Sequence, residues 1–429
     1  MLAAVRPLGV ERVPLGQAAG RALSAPLPAA VDNPPWDNSA MDGFAARAED
    51  VRGASPNHAV VLPVSDEVPA GAFPSGPLKP GTAARVMTGA PVPAGADSVI
   101  RVEHTAPAAN GCVRIDCADD AFRHVRRQGE DFRTGDVLLG AGEMLGPGEI
   151  ALLASQGCAS VTVGRRPRVG VLANGDELVE PGDFAQVKAG RRIVNTNSWA
   201  LAAQIREAGG EPVMLGIARD DPADVARKID QAADLDGMVS AGGVSVGDHD
   251  HVKDVLDAAG FERVFWRVKL RPGSATVFGL LGSRPVWGVP GNPASALVTF
   301  DLLARPAIRA MAGYSRIHRA NVRCTVRSEV RGPASVLSAV RVRFLSPPAD
   351  SPPDGTGARP AGDRGFPLVE PNAAQGSGMM TSMCADGLLL LPVGCDRVGP
   401  GEQADVAPLR EWSFPGQQGA PPPGGTARG

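Results

Sequence analysis

The stretch Leu235 to Lys253, LDGMVSAGGVSVGDHDHVK, constrains the fold more than any other part of the chain. Its apolar run through Met238 and Val239 reads as the end of a buried strand. It leads straight into Gly242, Gly243 and Gly247, which admit backbone shapes and close approaches that side chains forbid. Such a turn suits an anion. Backbone N–H groups in a tight loop are ligands for phosphate-like oxyanions, and carboxylates just beyond them are hard donors for a divalent cation. The same residues also spell Gly243-Val244-Ser245-Val246-Gly247, the G-x-S-x-G of a hydrolase elbow with Ser245 as nucleophile. That reading needs a downstream acid and histidine. Beyond Asp248-His249-Asp250-His251 only His318 remains, in a basic segment that reads as a solvated turn.

From Arg168 onward strand and helix signals alternate, the mark of an α/β sheet with largely parallel strands. Strands are expected at 168–173, 211–218, 263–270, 275–281 and 285–289. Helices are expected at 196–209, after the Asp221-Pro222 cap, at 252–259, and in one long run from Pro293 to just before Gly313, capped by Asn292. Asn174-Gly175-Asp176-Glu177-Leu178, the 242–247 turn and Pro290-Gly291-Asn292-Pro293 all follow strand ends and lead toward helix starts. Open α/β sheets bind their ligands there. Composition alone also fits ordinary βα turns. Neither a Walker A loop nor G-x-G-x-x-G is present, so the common nucleotide folds are not indicated.

A chain of 429 residues, 43% of them apolar, exceeds what one core accommodates, and several domains are expected. Residues 55–110 read as short strands. After 315, Val322, Cys324 and Val326, and then Val340, Val342 and Phe344, alternate with polar residues that include Arg341 and Arg343, the pattern of a half-exposed β domain. A Pro/Gly-rich insertion at 347–365 interrupts it, and 413–429 lacks the apolar content to order itself. A net charge of -3 argues against a dedicated nucleic-acid binder. The basic run 123–133 reads as an exposed loop or an anion-binding rim. Six cysteines without a C-x-x-C pair read as reduced, mostly buried thiols, and no apolar stretch is long enough to span a bilayer. A soluble cytoplasmic protein is expected.

Upstream, Asp37-Asn38-Ser39-Ala40-Met41-Asp42-Gly43 gathers two carboxylates, an amide and a hydroxyl, and Met87-Thr88-Gly89 adds a second hydroxyl. With NGDEL, GGVSVGD and PGNP following in order, these loops resemble the MoeA family, the molybdopterin molybdenumtransferases of molybdenum-cofactor synthesis, which are related to the C-terminal domain of gephyrin. The resemblance spans residues 8–411. It implies a multidomain fold: an elongated linking domain (1–27 and 129–165), an inserted β-rich domain (28–128), a three-layer α/β molybdopterin-binding domain of the MogA type (166–314), a C-terminal β-barrel (315–411, with 347–365 a flexible insertion) and a disordered tail (412–429).

The resemblance also implies a reaction in which molybdenum from molybdate enters adenylylated molybdopterin and AMP leaves, assisted by Mg2+. Matching by motif, Asp42, Thr88, Asp131, Glu177, Asp220 and Asp250 are the implied catalytic residues, with Asp42 and Asp131 near the molybdate and anhydride. Glu177, Asp220 and Asp250 also face the metal. Gly242, Gly243, Ser245, Gly247 and Asp248 are expected to cradle the molybdopterin phosphate, with Pro290, Gly291, Asn292 and Pro293 as a neighbouring wall. The family's Lys-rich stretch is replaced by Arg267-Val268-Lys269-Leu270-Arg271-Pro272-Gly273-Ser274. Arg267, Lys269 and Arg271 remain as oxyanion donors, but the neutral Ser274 is not one. The implied partners are a second copy of the chain completing the site, an upstream molybdopterin adenylyltransferase and downstream molybdoenzyme acceptors, with no nucleic acid and no membrane. A non-catalytic scaffold homologue is the alternative that Ser274 favours. His249 and His251 tempt one toward a zinc site, although the family resemblance does not call for histidine ligands there.

Overall fold

The computed structural model describes residues 1–243, 251–345, 366–373, 375–378 and 380–410. Ser245, Gly247, Asp248, His249, Asp250, the His251 side chain, the 347–365 insertion and the tail therefore lie outside the described residues. The chain divides into two compact units, one comprising Met1–Ser24, Ala141–Gly146 and everything from Ser160 on, the other Ala25–Gly140 and Pro147–Ala159.

The second unit is built on a six-stranded sheet in the order Ser98–Arg101, Gly43–Ala46, Ala83–Val86, Val60–Val68, Cys112–Ile115, Thr105–Ala108. Alternation along Gly43–Ala46 sends Phe44 and Ala46 into one core with Ile100 and Ile115, and Ala45 into another with Val68, Val86 and Val99. Both faces are thus covered. This agrees with the short strands expected at 55–110.

In the first unit the α/β sheet runs Glu211–Ala218, Arg168–Asn174, Gly237–Ala241, Arg284–Val289, Val277–Leu281, Phe261–Trp266. The first four strands are mutually parallel and the last two antiparallel to their neighbours. Helices on both faces bury two apolar clusters. Phe278, Trp287 and Phe300 are almost wholly buried. Each stabilises the fold by about 1.5–3 kcal/mol.

Several local expectations need correction. The strand expected at 263–270 breaks at Arg267, whose φ of 69° is left-handed, and resumes as Leu270–Arg271, which leaves the α/β sheet to pair with Leu337–Leu345. The long helix after Pro293 is helical throughout but carries a π segment at Phe300–Ala304. Pro306 lacks the N–H that would close the next α-helical turn, so the ladder widens there. Asn292 occupies the N-cap position without a side-chain bond, and the 197–207 helix is capped from Asn195 Oδ1 rather than Thr196. Asp221 does cap its helix, accepting from the Asp224 N–H at 3.1 Å. Of the six cysteines only Cys324 is fully buried, so the expectation of mostly buried thiols does not hold; all six are free.

The C-terminal strands Leu337–Leu345, Leu368–Pro371, Val322–Val326, Gln403–Pro408 and Gly387–Leu391 pair in that order, and the last returns to the first. This closes a five-stranded barrel around Cys324, Val326, Val342, Val369, Leu389 and Val406. Closure leaves no open edge.

Candidate functional site

Within the β-rich unit, sheet register brings Asp42 and Thr88 together. Gly43 lies opposite Val86 on antiparallel strands, so Asp42 and Thr88 leave the sheet at the same end. Asp42 Oδ1 accepts from the Thr88 backbone N–H at 2.7 Å and from Thr88 Oγ1 at 2.8 Å. The Thr88 backbone N–H, then its hydroxyl, hold the Asp42 carboxyl below the usual carboxylate range. Its Oδ2 has no protein donor among the described residues, so one oxygen is fixed and the other stays open to a ligand. Ser39, paired by backbone with Ala90 and Gly89, turns the preceding loop by accepting the Met41 N–H on its hydroxyl. Asp131 accepts from Asn33 Nδ2 at 2.9 Å and is exposed.

Gly43 is required by close approach. A Cβ there would fall far inside van der Waals contact distance of the Ile100 carbonyl oxygen and 2.9 Å from its carbon. Gly43→Ala is expected to cost about 1–3 kcal/mol by overpacking. Thermal denaturation of the variant checks it, with an unchanged midpoint counting against the steric argument.

In the other unit, a separate candidate region lies at the C-terminal edge of the parallel strands. There the loops 174–177, 219–221, 242–243 and 290–293 emerge, on both sides of the switch point at strand Arg168–Asn174, whose neighbours are Glu211–Ala218 and Gly237–Ala241. Asn174 Nδ2 donates to Asp220 Oδ1 at 2.8 Å, and the Asp176 N–H donates to Asp220 Oδ2 at 3.3 Å. Asn174 thus ties the 174–177 loop to the 219–221 loop. The Glu177 carboxylate folds back over Gly175 and is exposed. Gly243, with φ 69°, leaves no space for a side chain: a Cβ would come 3.0 Å from Val252 Cβ and closer still to its methyl. The Asn197 amide donates to the Gly291 carbonyl at 2.7 Å, which brings the PGNP turn to the same edge. Among the described residues no three His, Cys, Asp or Glu side chains form a metal-holding group.

Arg271 lines a 720 Å3 cavity between its own strand and the barrel, whereas Arg267 and Lys269 are exposed outside that lining. The same cavity contains Arg341, which reading the sequence had set on a half-exposed face. In the structure Arg341 is only 2% exposed, although its neighbour Arg343 is on the surface, paired with Glu370. Gln375, Gly376 and Ser382 hold it. Arg341 Nε donates to Ser382 Oγ at 3.0 Å, Nη2 donates to the Gln375 and Gly376 carbonyls, and Gln375 also bonds the Arg341 backbone in both directions. No carboxylate pairs it among the described residues. Among the described residues Nη1 has no partner, and Ser338 Oγ and Asn372 Oδ1, on the cavity lining, are likewise buried and unsatisfied. Burial lowers the Arg341 pKa. A buried guanidinium that meets no carboxylate among the described residues favours an anion nearby. The period-2 pattern held no signal for this, because it describes the sheet and not what packs on it.

Three family models match the chain: the MoeA N-terminal region (domain I and II) over residues 1–157, a probable molybdopterin binding domain over 170–310, and the MoeA C-terminal region (domain IV) over 359–409. A molybdopterin molybdenumtransferase of Nostoc sp. is 40% identical over 310 residues, which cover 71% of this chain and 70% of that one. Molybdopterin molybdenumtransferase 2 of Mycobacterium tuberculosis is 38% identical over 349 residues, 79% of this chain and 84% of the relative. The crystal structure of a molybdopterin biosynthesis MoeA protein from Pyrococcus horikoshii matches 96% of this chain and 97% of its own, at 31% identity and a TM-score of 0.73. With the α/β switch point, the closed C-terminal barrel and these relatives together, the chain belongs to the MoeA family of molybdopterin molybdenumtransferases.

Proposed function

We propose that the chain inserts molybdenum from molybdate into adenylylated molybdopterin and releases AMP. The observation that carries this reading is the cavity with a buried, partly unpaired Arg341 and Arg271 at its wall, in a chain whose α/β domain gathers its loops at a ligand-binding edge. Molybdate is a tetrahedral dianion, and the forked donors of arginine match its oxygens. The two sulfurs that finally hold molybdenum belong to the pterin, so no cysteine or histidine cluster is required of the protein.

In this reading Arg271 and Arg341 hold the oxyanion, and Arg267 and Lys269 draw it in from the surface. Gly242 and Gly243, with Ser245, Gly247 and Asp248, cradle the molybdopterin phosphate, and Pro290 to Pro293 form the adjacent wall. Asp42 and Asp131 act on the anhydride side, with Thr88 orienting Asp42. Glu177, Asp220 and Asp250 offer hard carboxylate oxygens of the kind Mg2+ prefers, although both oxygens of Asp220 already accept hydrogen bonds and Asp250 lies outside the described residues. When bound, the cation neutralises charge on the phosphoanhydride. The reading further includes a homodimer in which two copies complete each site, a cytoplasmic setting, and exchange with an adenylyltransferase upstream and apo-molybdoenzymes downstream.

The test is AMP release by purified protein from adenylylated molybdopterin with Mg2+, with and without molybdate. Molybdate-dependent release is expected, and it should disappear when Mg2+ is removed by chelation. Ligand binding with no AMP under any oxyanion would instead favour a scaffold homologue, with Ser274 in place of a cation as its cause.

A further inference from the structure

The β-rich unit contains a buried charge cluster that the reaction above does not use. Asp120 is completely buried, and its carboxylate accepts from the Arg101 backbone N–H at 3.0 Å, from Arg101 Nε and Nη2 at 3.1 Å, from His104 Nδ1 at 3.1 Å and from His124 Nε2 at 3.1 Å. Burial alone would raise its pKa; the Arg101 bonds more than reverse this and hold it well below the usual range.

The surroundings of this carboxylate explain where the grip is felt. Arg101 ends the edge strand of the sheet, and the next residue, Val102, donates its N–H to the Asp42 carbonyl at 3.1 Å. On the other side of the same loop, the Ala40 N–H donates to the His124 carbonyl at 2.8 Å, and Val125–Arg126 pair with Asn38–Ser39. Two of the backbone supports of the Asp42 loop therefore belong to residues adjoining ones that Asp120 holds, or to those residues themselves. Segment 120–124 is also strained: Phe122 and His124 adopt φ of 60° and 66°, a region L side chains rarely enter. Such conformations persist where surrounding contacts over-determine them. Asp120 and Ser98 Oγ, which accepts the Phe122 N–H at 2.9 Å, supply those contacts.

We infer that Asp120 is a positioning residue for Asp42, its buried carboxylate fixing through Arg101, His104 and His124 two backbone supports of the Asp42 loop, the Val102 and Ala40 bonds. This rests on the transferase reading for its kinetic consequence and on geometry alone for its structural one. Misplacement of a reacting group by about 1 Å costs on the order of 10²-fold in rate.

Asp120→Asn in the full-length chain keeps the shape and removes the charge. Hydrogen exchange of the Ala40 and Val102 amides should accelerate at least about ten-fold while the Val60–Val68 strand stays protected. The kcat of AMP release should fall about 10–100-fold, with KM for adenylylated molybdopterin within two-fold of wild type. His104→Leu, which removes one donor, should show a smaller change of the same kind. His104→Asn, which keeps an N–H near Nδ1, should restore wild-type behaviour. Unchanged exchange at Ala40 and Val102 overturns the inference, and so does a uniform rise that includes Val60–Val68, which would mark Asp120 as a fold residue only. If Asp120→Asn does not fold, the His104 pair decides in the same terms. If the wild-type chain releases no AMP, the transferase reading fails while the exchange data still decide the lock.

Discussion

Asp42→Ala is expected to lower molybdate-dependent AMP release by at least about 10²-fold, the loss typical of removing one positioned group from a transition state. The reason is geometric. Asp42 Oδ1 is held by two donors of Thr88, so the carboxylate has one orientation and presents Oδ2 outward. The same donors keep its pKa low. A depressed carboxylate contributes its charge above its unfolded pKa and loses it only as pH falls through the folded one, so Asp42 is ionised at neutral pH. Asp42→Asn, which keeps the shape and loses the charge, separates the two contributions: activity near wild type in that variant would sink the claim that Asp42 acts as an anion. Because Asp42 is exposed and Gly43 supplies the packing, the thermal midpoint should barely move in either variant.

The second large effect belongs to Arg341, and it should appear in stability as well as in activity. Arg341→Met deprives Ser382 Oγ and the Gln375 and Gly376 carbonyls of a charged donor, at a cost of about 2–4 kcal/mol given the price of unsatisfied buried groups. The segment 372–382 loses its anchor. The molybdate concentration that half-saturates AMP release should rise at least about ten-fold, since one hydrogen bond from a charged donor is worth roughly 1.5–3 kcal/mol. Arg341→Lys keeps the charge but not the fork, and should fall between the two. Arg271→Ala is the informative contrast. Arg271 is exposed at the cavity wall, so its loss should weaken molybdate dependence without a comparable change in denaturant midpoint. Equal stability losses in the two variants would show that Arg341 is not the structural anchor described here.

Much of the α/β domain was legible because its signals are local. The apolar run ending at Ala241, the Asp221-Pro222 cap and the strand Glu211–Ala218 each follow from period, capping chemistry and turn residues. The loops were legible for the same reason, glycine and proline marking where strands end. What went astray had a tertiary cause. Strand Phe261–Trp266 stops at Arg267 because the following residues pair with the barrel instead, a choice no window of sequence contains. Thr196 stands at the N-cap position without a side-chain bond, and it is Asn195 Oδ1 that accepts the Ser198 N–H. The cysteines have the apolar character of buried residues, yet of the six only Cys112 and Cys324 lie in strands and only Cys324 is buried.

The sequence by itself determined the order of elements, the glycine and proline turns, and the carboxylates available for chemistry, because each depends on neighbours a few positions away. Only the tertiary structure decided that Asp42 meets Thr88, that Asn174 bridges to Asp220, that Arg341 is sealed by residues more than thirty positions later, and that Asp120 gathers Arg101 and two histidines. Those pairings depend on sheet register and barrel closure. A period of two records which face a residue occupies, but burial of a charge depends on what the rest of the chain lays over that face.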